Sequence, residues 1–78
     1  MKTTPYFDWR RQFPDRRRIT DDWLERVISN PERELVQSNG RIACWGAVPE
    51  FGGRHLLVVL LDDRGTVQNA FFDRSFRP

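Results

Sequence analysis

The sequence has too few cysteine and histidine residues for several common kinds of functional site. Its 78 residues include one cysteine, Cys44, and one histidine, His55. A single cysteine excludes an intrachain disulfide and a cysteine-based metal site. The sequence also lacks a P-loop, a glycine-rich dinucleotide-binding motif and an HExxH motif. We therefore expect a function that uses neither a metal nor an organic cofactor.

Long apolar segments are also missing. The longest aliphatic run, Leu56–Leu61, has six residues, whereas a transmembrane helix needs about 20. There is no signal-peptide pattern and no disulfide framework. We therefore expect a cytoplasmic protein that does not associate with a membrane.

Lysine is almost absent, because twelve of the thirteen basic residues are arginine. Residues 1–18, which we call the arm, contain six basic and two acidic side chains, a net charge of +4, whereas the remainder carries −2. Arginine binds phosphate through a planar fork, so this bias favours an anionic partner. The residues predicted to contact nucleic acid are Arg10, Arg11, Arg16, Arg17 and Arg18.

Aromatic residues alternate with the arginines of the arm. Tyr6, Trp9 and Phe13 are spaced i, i+3, i+7, which predicts one side of a short helix. Pro5 and Pro14 would limit that helix at its two ends. Two interpretations remain open. The aromatic rings either pack on an otherwise exposed face of a sheet, the commoner use of large aromatics in a small domain, or form a surface that stacks nucleobases.

The segment 19–30 has the clearest helical pattern. Thr20 is a suitable N-cap, and Pro31 ends the helix because the residue before proline disfavours the helical conformation. The apolar stripe consists of Trp23, Leu24, Val27 and Ile28. One apolar face on about three turns is typical of a helix that lies on a sheet.

Residues 33–73 read as four strands joined by three turns. Asn39-Gly40 predicts a two-residue hairpin turn in which both residues adopt positive φ. Glycine-rich and aspartate-rich turns follow at 49–53 and 62–65, and the aliphatic run between them predicts a central strand covered on both faces. We therefore predict a single α+β domain spanning residues 1–78, in which one or two N-terminal helices pack on a four-stranded antiparallel meander.

Two groups of reactive residues have simpler structural explanations. Cys44 and His55 lie on neighbouring predicted strands and could form a nucleophilic pair, but alternation predicts that Cys44 is a small buried side chain. Asp62 and Asp63 could act in acid–base or metal chemistry, but they occupy turn positions, where aspartate commonly binds backbone amides.

Basic side chains also cluster at the ends of the predicted strands. Arg54 and His55 open the third strand, and Asp73 and Arg74 follow the fourth, so an antiparallel meander brings these four residues together and places Arg41 at the opposite edge. Two guanidinium groups can hold a phosphate, and a histidine can transfer a proton near neutral pH. We predict these four residues as catalytic. The alternative is an Arg–Asp surface pair beside a solvated histidine.

Several segments resemble the RelE/ParE/BrnT superfamily of small bacterial toxins. They are Ile-Thr-x-x-Trp-Leu-x-x-Val-Ile-x-Asn-Pro, Asn-Gly-Arg-Ile, Arg-His-Leu-Leu-Val-Val and Ala-Phe-Phe-Asp-Arg, and together they extend over residues 19–74. The resemblance implies a helix-plus-meander fold, a cytoplasmic setting and an antitoxin protein as partner. For the RNA-cleaving members it also implies a metal-independent endoribonuclease.

In those members, basic residues and a C-terminal Tyr, His or Arg assist attack of the ribose 2′-hydroxyl on the adjacent phosphate. Arg54 and Arg74 match the groups that hold the phosphate, and His55 is the remaining candidate for proton transfer. The sequence departs from this pattern because it has no C-terminal Tyr or His. Its tail reads Phe71-Phe72-Asp73-Arg74. Two alternatives therefore stay open: a non-catalytic module that binds protein or nucleic acid, and a homodimer formed through an exposed sheet face.

Overall fold

The helices come from the first part of the chain and pack on a sheet that is formed mainly by the later residues. The structure is a computed structural model that describes residues 1–78. The elements are β1 (Lys2–Thr3), α1 (Pro5–Arg10), α2 (Pro14–Arg17), α3 (Asp21–Ser29), β2 (Arg33–Val36), β3 (Ile42–Val48), a 3-10 turn (Pro49–Phe51), β4 (Arg54–Leu60) and β5 (Thr66–Phe72). The predicted α+β class is confirmed. None of the three helices combines the length and the apolar character needed to cross a bilayer.

The sheet has five strands in the order β1-β5-β4-β3-β2. Strands β2 to β5 form the predicted antiparallel meander, but the prediction of only four strands is wrong. β1 adds a fifth strand that runs parallel to β5, with Thr3 opposite Val67. The neighbouring Thr4 amide donates to the Val67 carbonyl at 3.0 Å. The start of the arm thus pairs backbone groups on an edge of β5 that would otherwise be open.

The arm contains two short helices instead of the single predicted one. Pro5 and Pro14 each occupy the first helical position, where the missing N–H is not needed. Phe13 has extended backbone angles because it precedes a proline, so the chain cannot remain helical from α1 into α2. The helix α1 begins with an N-cap, in which Thr4 Oγ1 accepts a hydrogen bond from the Phe7 amide at 3.1 Å.

The predicted helix over residues 19–30 is confirmed as α3, with slightly shorter bounds. Thr20 Oγ1 accepts a hydrogen bond from the Trp23 amide at 3.2 Å, which is the predicted N-cap. Leu24 and Val27 are buried against the sheet. Gly46 in β3 allows this close approach, because a Cβ atom there would lie 3.1 Å from a methyl carbon of Val27.

The core lies between the helices and one face of the sheet, which we call the helix face. In β4, Leu56, Val58 and Leu60 point to this face and are buried. The opposite face, which we call the open face, is covered in part by the C-terminal segment, where the Phe76 ring stacks on Trp45 at 5.5 Å. Leu57 is buried on the open face, so the prediction that β4 is covered on both faces is largely correct.

Of two turns predicted from the sequence, one differs from the structure and the other agrees with it. In the β2–β3 hairpin only Gly40 has positive φ, so the predicted two-residue turn is wrong. Its amide donates to the Gln37 carbonyl at 2.9 Å, and the loop has three residues, 38–40, that end in the left-handed conformation. Asp63 has the predicted turn role: its Oδ1 accepts hydrogen bonds from the amides of Gly65 and Thr66, both at 2.9 Å.

Candidate functional site

The four residues predicted to meet at one end of the sheet do meet there. Leu56 of β4 pairs with Phe72 of β5, and the Asp73 amide donates to the His55 carbonyl at 2.9 Å. The two strand ends are therefore held side by side by backbone hydrogen bonds. Arg41 lies at the other end of the sheet, because the adjoining Ile42 pairs with the last residue of β4.

These residues line an open cleft with a volume of about 720 Å³. Two of the five arm arginines also reach it, so residues that are far apart in the sequence share one basic surface. The basic lining residues are Arg16, Arg18, Arg54, His55 and Arg74. We call this surface the arginine cleft.

Neither of the two carboxylates in the arginine cleft pairs with Arg18, Arg54 or Arg74. Asp15 accepts two hydrogen bonds from Arg10, at 3.0 and 2.9 Å, and these bonds hold the pKa of the Asp15 carboxyl below its usual value. Asp73 accepts from the Ser75 hydroxyl at 2.6 Å and from the Trp45 indole N–H at 2.9 Å. Because of the Ser75 bond first and the Trp45 bond next, the pKa of Asp73 is also lowered.

The contacts of Asp73 indicate a structural role. Oδ1 also accepts from the Ser75 backbone amide at 3.0 Å, so both carboxylate oxygens are used in turning the chain after β5 and fastening it to Trp45. The turn sends the C-terminal segment back over the open face, where Phe76 is buried. Asp73 therefore positions the segment that borders the cleft, and its catalytic role stays a prediction.

Three cleft arginines, Arg18, Arg54 and Arg74, form no ion pair with any carboxylate. Two of them stack on the same aromatic ring: the guanidinium carbons of Arg18 and Arg54 lie 5.0 and 4.9 Å from the centroid of Phe51. Cation–π stacking orients a guanidinium through its flat face. The N–H groups at its edge thus stay available to an anion.

Phe51 is itself held in place by aromatic neighbours. Its ring centroid lies 4.6 Å from that of Phe72 and 6.0 Å from that of Trp23. Phe51 is not among the predicted functional residues. An aromatic residue inside a glycine-rich turn, three positions before a candidate phosphate-binding arginine, is the signal that would have identified it.

Arg16 reaches the cleft across the edge of β5. Its guanidinium stacks on Phe71 at 5.2 Å and donates to Asn69 Oδ1 at 3.3 Å. Its nearest carboxylate oxygen, on Asp15, is 3.7 Å from Nε. Burial lowers the pKa of Arg16. A bound anion would therefore compensate for a partly desolvated positive charge.

His55 is paired with a carboxylate that is not among the predicted site residues. Its Nε2 lies 2.8 Å from Oε2 of Glu32, which immediately precedes β2. A neutral imidazole that donates its Nε2–H to Glu32 keeps Nδ1 as its basic nitrogen. No local pattern links these residues, because the contact depends on the pairing of three strands. The ring of Phe76 lies 4.6 Å from that of His55 and covers it in part.

The predicted nucleic-acid contacts of the arm fall into two groups. Arg16 and Arg18 line the cleft, whereas Arg10 and Arg11 form ion pairs with Asp15 and Asp21 at 2.9 and 2.8 Å. Arg17 is exposed and has no ion-pair partner. Only two of the five arginines thus line the cleft, and the role of all five in binding stays a prediction.

Cys44 lies outside the cleft and cannot form a pair with His55. It is buried on the helix face, whereas His55 is opposite Ala47 and therefore points to the open face. Burial raises the pKa of the Cys44 thiol, which agrees with the predicted role as a small buried side chain. No cluster of three or more His, Cys, Asp or Glu side chains has an arrangement that could hold a metal ion.

Comparison with protein-family models, curated proteins and solved structures found no match to this chain. The resemblance to the RelE/ParE/BrnT superfamily therefore stays a prediction. The arginine cleft and the groups around it are the features of the molecule that indicate a function.

Proposed function

We propose that this protein is a metal-independent endoribonuclease, the toxin of a toxin–antitoxin pair, which binds a phosphate of its RNA substrate in the arginine cleft. The proposal rests mainly on the arrangement of Arg18, Arg54 and Arg74. These three guanidinium groups have no carboxylate partner and share the cleft with the only histidine of the chain. A phosphodiester offers two negatively charged oxygens, to which the planar guanidinium fork can donate two parallel hydrogen bonds.

Cleavage would use the ribose 2′-oxygen as the nucleophile. This oxygen attacks the adjacent phosphorus, and the bond from phosphorus to the 5′-oxygen of the next nucleotide breaks, leaving a 2′,3′-cyclic phosphate and a free 5′-hydroxyl. The 2′-hydroxyl proton passes to Nδ1 of His55, and water protonates the departing 5′-oxygen. Glu32 stabilises the imidazolium that forms, since its carboxylate lies 2.8 Å from Nε2.

The negative charge that develops on the non-bridging phosphate oxygens in the transition state would be stabilised by Arg54 and Arg74. Groups that are oriented before the reaction are effective for this purpose, and removal of one typically lowers the rate by about 10²–10³-fold. Arg54 is oriented in advance by its contact with Phe51. The antitoxin would inhibit the enzyme by placing acidic side chains against the same arginines.

The test compares single arginine substitutions at the two ends of the sheet. We expect Arg54→Ala and Arg74→Ala each to abolish RNA cleavage and growth inhibition, while circular dichroism stays unchanged. Arg41→Ala is the matched control, because Arg41 is exposed, has no ion pair and lies at the opposite end. The products should carry 2′,3′-cyclic phosphate ends. Wild-type protein that leaves both RNA and growth unaffected would refute the nuclease proposal.

The second candidate is a module that binds RNA without cleaving it. The environment of His55 favours it, because Glu32 occupies Nε2 and the Phe76 ring covers the imidazole, whose side chain is 18% exposed. A binding module would lose affinity in Arg54→Ala, whereas His55→Ala would change nothing. For an endoribonuclease, His55→Ala should lower the cleavage rate by about 10²–10⁴-fold and leave RNA affinity intact.

A homodimer of another kind, formed by strand pairing instead of through the predicted sheet face, is favoured by the edge strand β2. This strand pairs only with β3, and its Leu35 and Val36 are exposed. Edges of this type are open to pairing with another chain. Sedimentation equilibrium of the wild type and of Leu35→Lys tests this alternative. A monomer at all concentrations would refute it.

A further inference from the structure

The exposed aromatic residues of the arm are the largest feature that the proposed cleavage reaction does not use. Tyr6, Trp9 and Phe13 are 45%, 54% and 39% exposed. None of these three rings therefore belongs to the buried core. Phe7, which the spacing did not select, is fully buried and fixes α1 to the core. A small domain needs its large apolar side chains for the core, so three exposed rings side by side require another explanation.

The three rings form one continuous surface. The ring centroids of Tyr6 and Trp9 are 6.1 Å apart, and those of Trp9 and Phe13 are 4.8 Å apart in an edge-on arrangement. Trp9 is the most exposed of the three, and the guanidinium of Arg10 stacks on Phe13 at 5.0 Å. We call these three residues the aromatic surface.

The aromatic surface adjoins the arginine cleft. Phe13 directly precedes α2, whose Asp15 and Arg16 line the cleft. Arg10 links the two features, because it stacks on Phe13 and donates two hydrogen bonds to Asp15. A chain of alternating phosphates and bases that entered the cleft could therefore continue onto exposed rings.

We propose that the aromatic surface stacks the bases of single-stranded RNA next to the phosphate that is held in the arginine cleft. The inference rests on the proposed function, because it takes RNA as the ligand. Single-stranded nucleic acid is recognised by aromatic rings that stack bases, combined with cations that follow the backbone. Both features are present here, since the arm carries a net charge of +4 and Arg17 is exposed without an ion-pair partner.

The test measures binding to RNA that cannot be cleaved. The probe is a labelled 2′-O-methyl oligonucleotide of about eight nucleotides, in which the attacking hydroxyl is blocked. A second probe has the same phosphates but abasic sugars. We expect Trp9→Ala to weaken binding of the first probe about tenfold in fluorescence anisotropy. Binding of the abasic probe should stay unchanged, because it offers no base to stack.

Two controls separate stacking from general effects. Trp9→Phe keeps an aromatic face and should retain most of the affinity. Arg41→Ala removes an exposed side chain at the opposite end of the sheet and should leave both probes bound about as in the wild type. Circular dichroism checks that each variant is folded.

The outcomes distinguish this inference from the function on which it rests. If Arg54→Ala weakens binding and Trp9→Ala does not, the aromatic surface is not a stacking site and the cleft proposal stands. If the wild type binds neither probe, the proposed function fails together with the inference. If the wild type dimerises and Trp9→Ala only abolishes dimerisation, without changing RNA affinity, the occupant is a second copy of the chain and the inference is refuted.

Discussion

The role of Phe51 can be tested by replacing its ring with an aliphatic side chain of similar size. Phe51→Leu keeps much of the apolar volume and removes the π-electrons on which Arg18 and Arg54 stack. Two exposed cation–π contacts are worth about 0.5–1 kcal/mol each. The ring pair with Phe72, at 4.6 Å, adds about 0.5–1.5 kcal/mol. We therefore expect the free energy of unfolding to fall by about 2 kcal/mol.

The effect on RNA binding should be smaller than that of removing an arginine. In Phe51→Leu the guanidinium groups remain, but Arg18 and Arg54 lose the contact that orients them. Ordering each of them on binding then costs part of a side chain's rotational freedom, about 0.5–1.5 kcal/mol. Affinity should fall at least about fivefold, which is the low end of that cost for two side chains. Arg54→Ala removes the charge itself and should weaken binding further.

Urea denaturation and fluorescence anisotropy measure the two effects on the same samples. Phe51→Trp is the control, because it keeps an aromatic face for both arginines. If Phe51→Leu binds RNA as tightly as the wild type while Arg54→Ala does not, Phe51 does not orient the cleft arginines. A loss of stability without a loss of affinity would restrict its role to packing.

Three further predictions concern the fold that supports the site. Gly46→Ala should lower the free energy of unfolding by about 1–3 kcal/mol in urea denaturation, because the new Cβ would lie 3.1 Å from Val27; Gly65→Ala, with no atom closer than 3.9 Å, is the control. Hydrogen bonds lower the pKa of Asp63 to about 2 from 3.8, so its stabilising contribution is present above pH 4 and lost as the pH falls towards 2. Asp63→Asn should reduce that loss, and an unchanged pH profile would contradict the assignment. Cys44 should react with iodoacetamide only after unfolding, since it is 2% exposed; fast modification of native protein would contradict its burial.

The meander could be predicted because its signals are local. Alternation assigned Ile42 and Cys44 to one face of β3, and the glycine and aspartate turns marked the strand ends. Antiparallel pairing then placed Arg54 near Arg74 without any knowledge of side-chain positions. Strand β1 has no comparable signal, because two residues show no periodicity and its pairing with β5 depends on residues more than sixty positions away.

The arm was harder to predict because helical spacing shows which residues share one side of a helix but not whether that side faces the core or the solvent. Tyr6, Trp9 and Phe13 do share one surface, as their spacing indicated. The side that faces the core is determined by Phe7, a single residue with no partner in the pattern. Two residues near the candidate site, Glu32 and Phe51, were missed for a related reason: their contacts join segments that only the folded sheet brings together.

The composition of the cleft is not explained by folding stability. Arg18, Arg54 and Arg74 repel one another, and the carboxylates that line the same cleft, Asp15 and Asp73, are engaged by other groups. The contacts with Phe51 stabilise the fold by only about 0.5–1 kcal/mol for each of two arginines. An arrangement that stabilises the free protein so little is explained if an anion binds in the cleft. A bound phosphate would supply the negative charge that Arg18, Arg54 and Arg74 do not obtain from carboxylates of the chain.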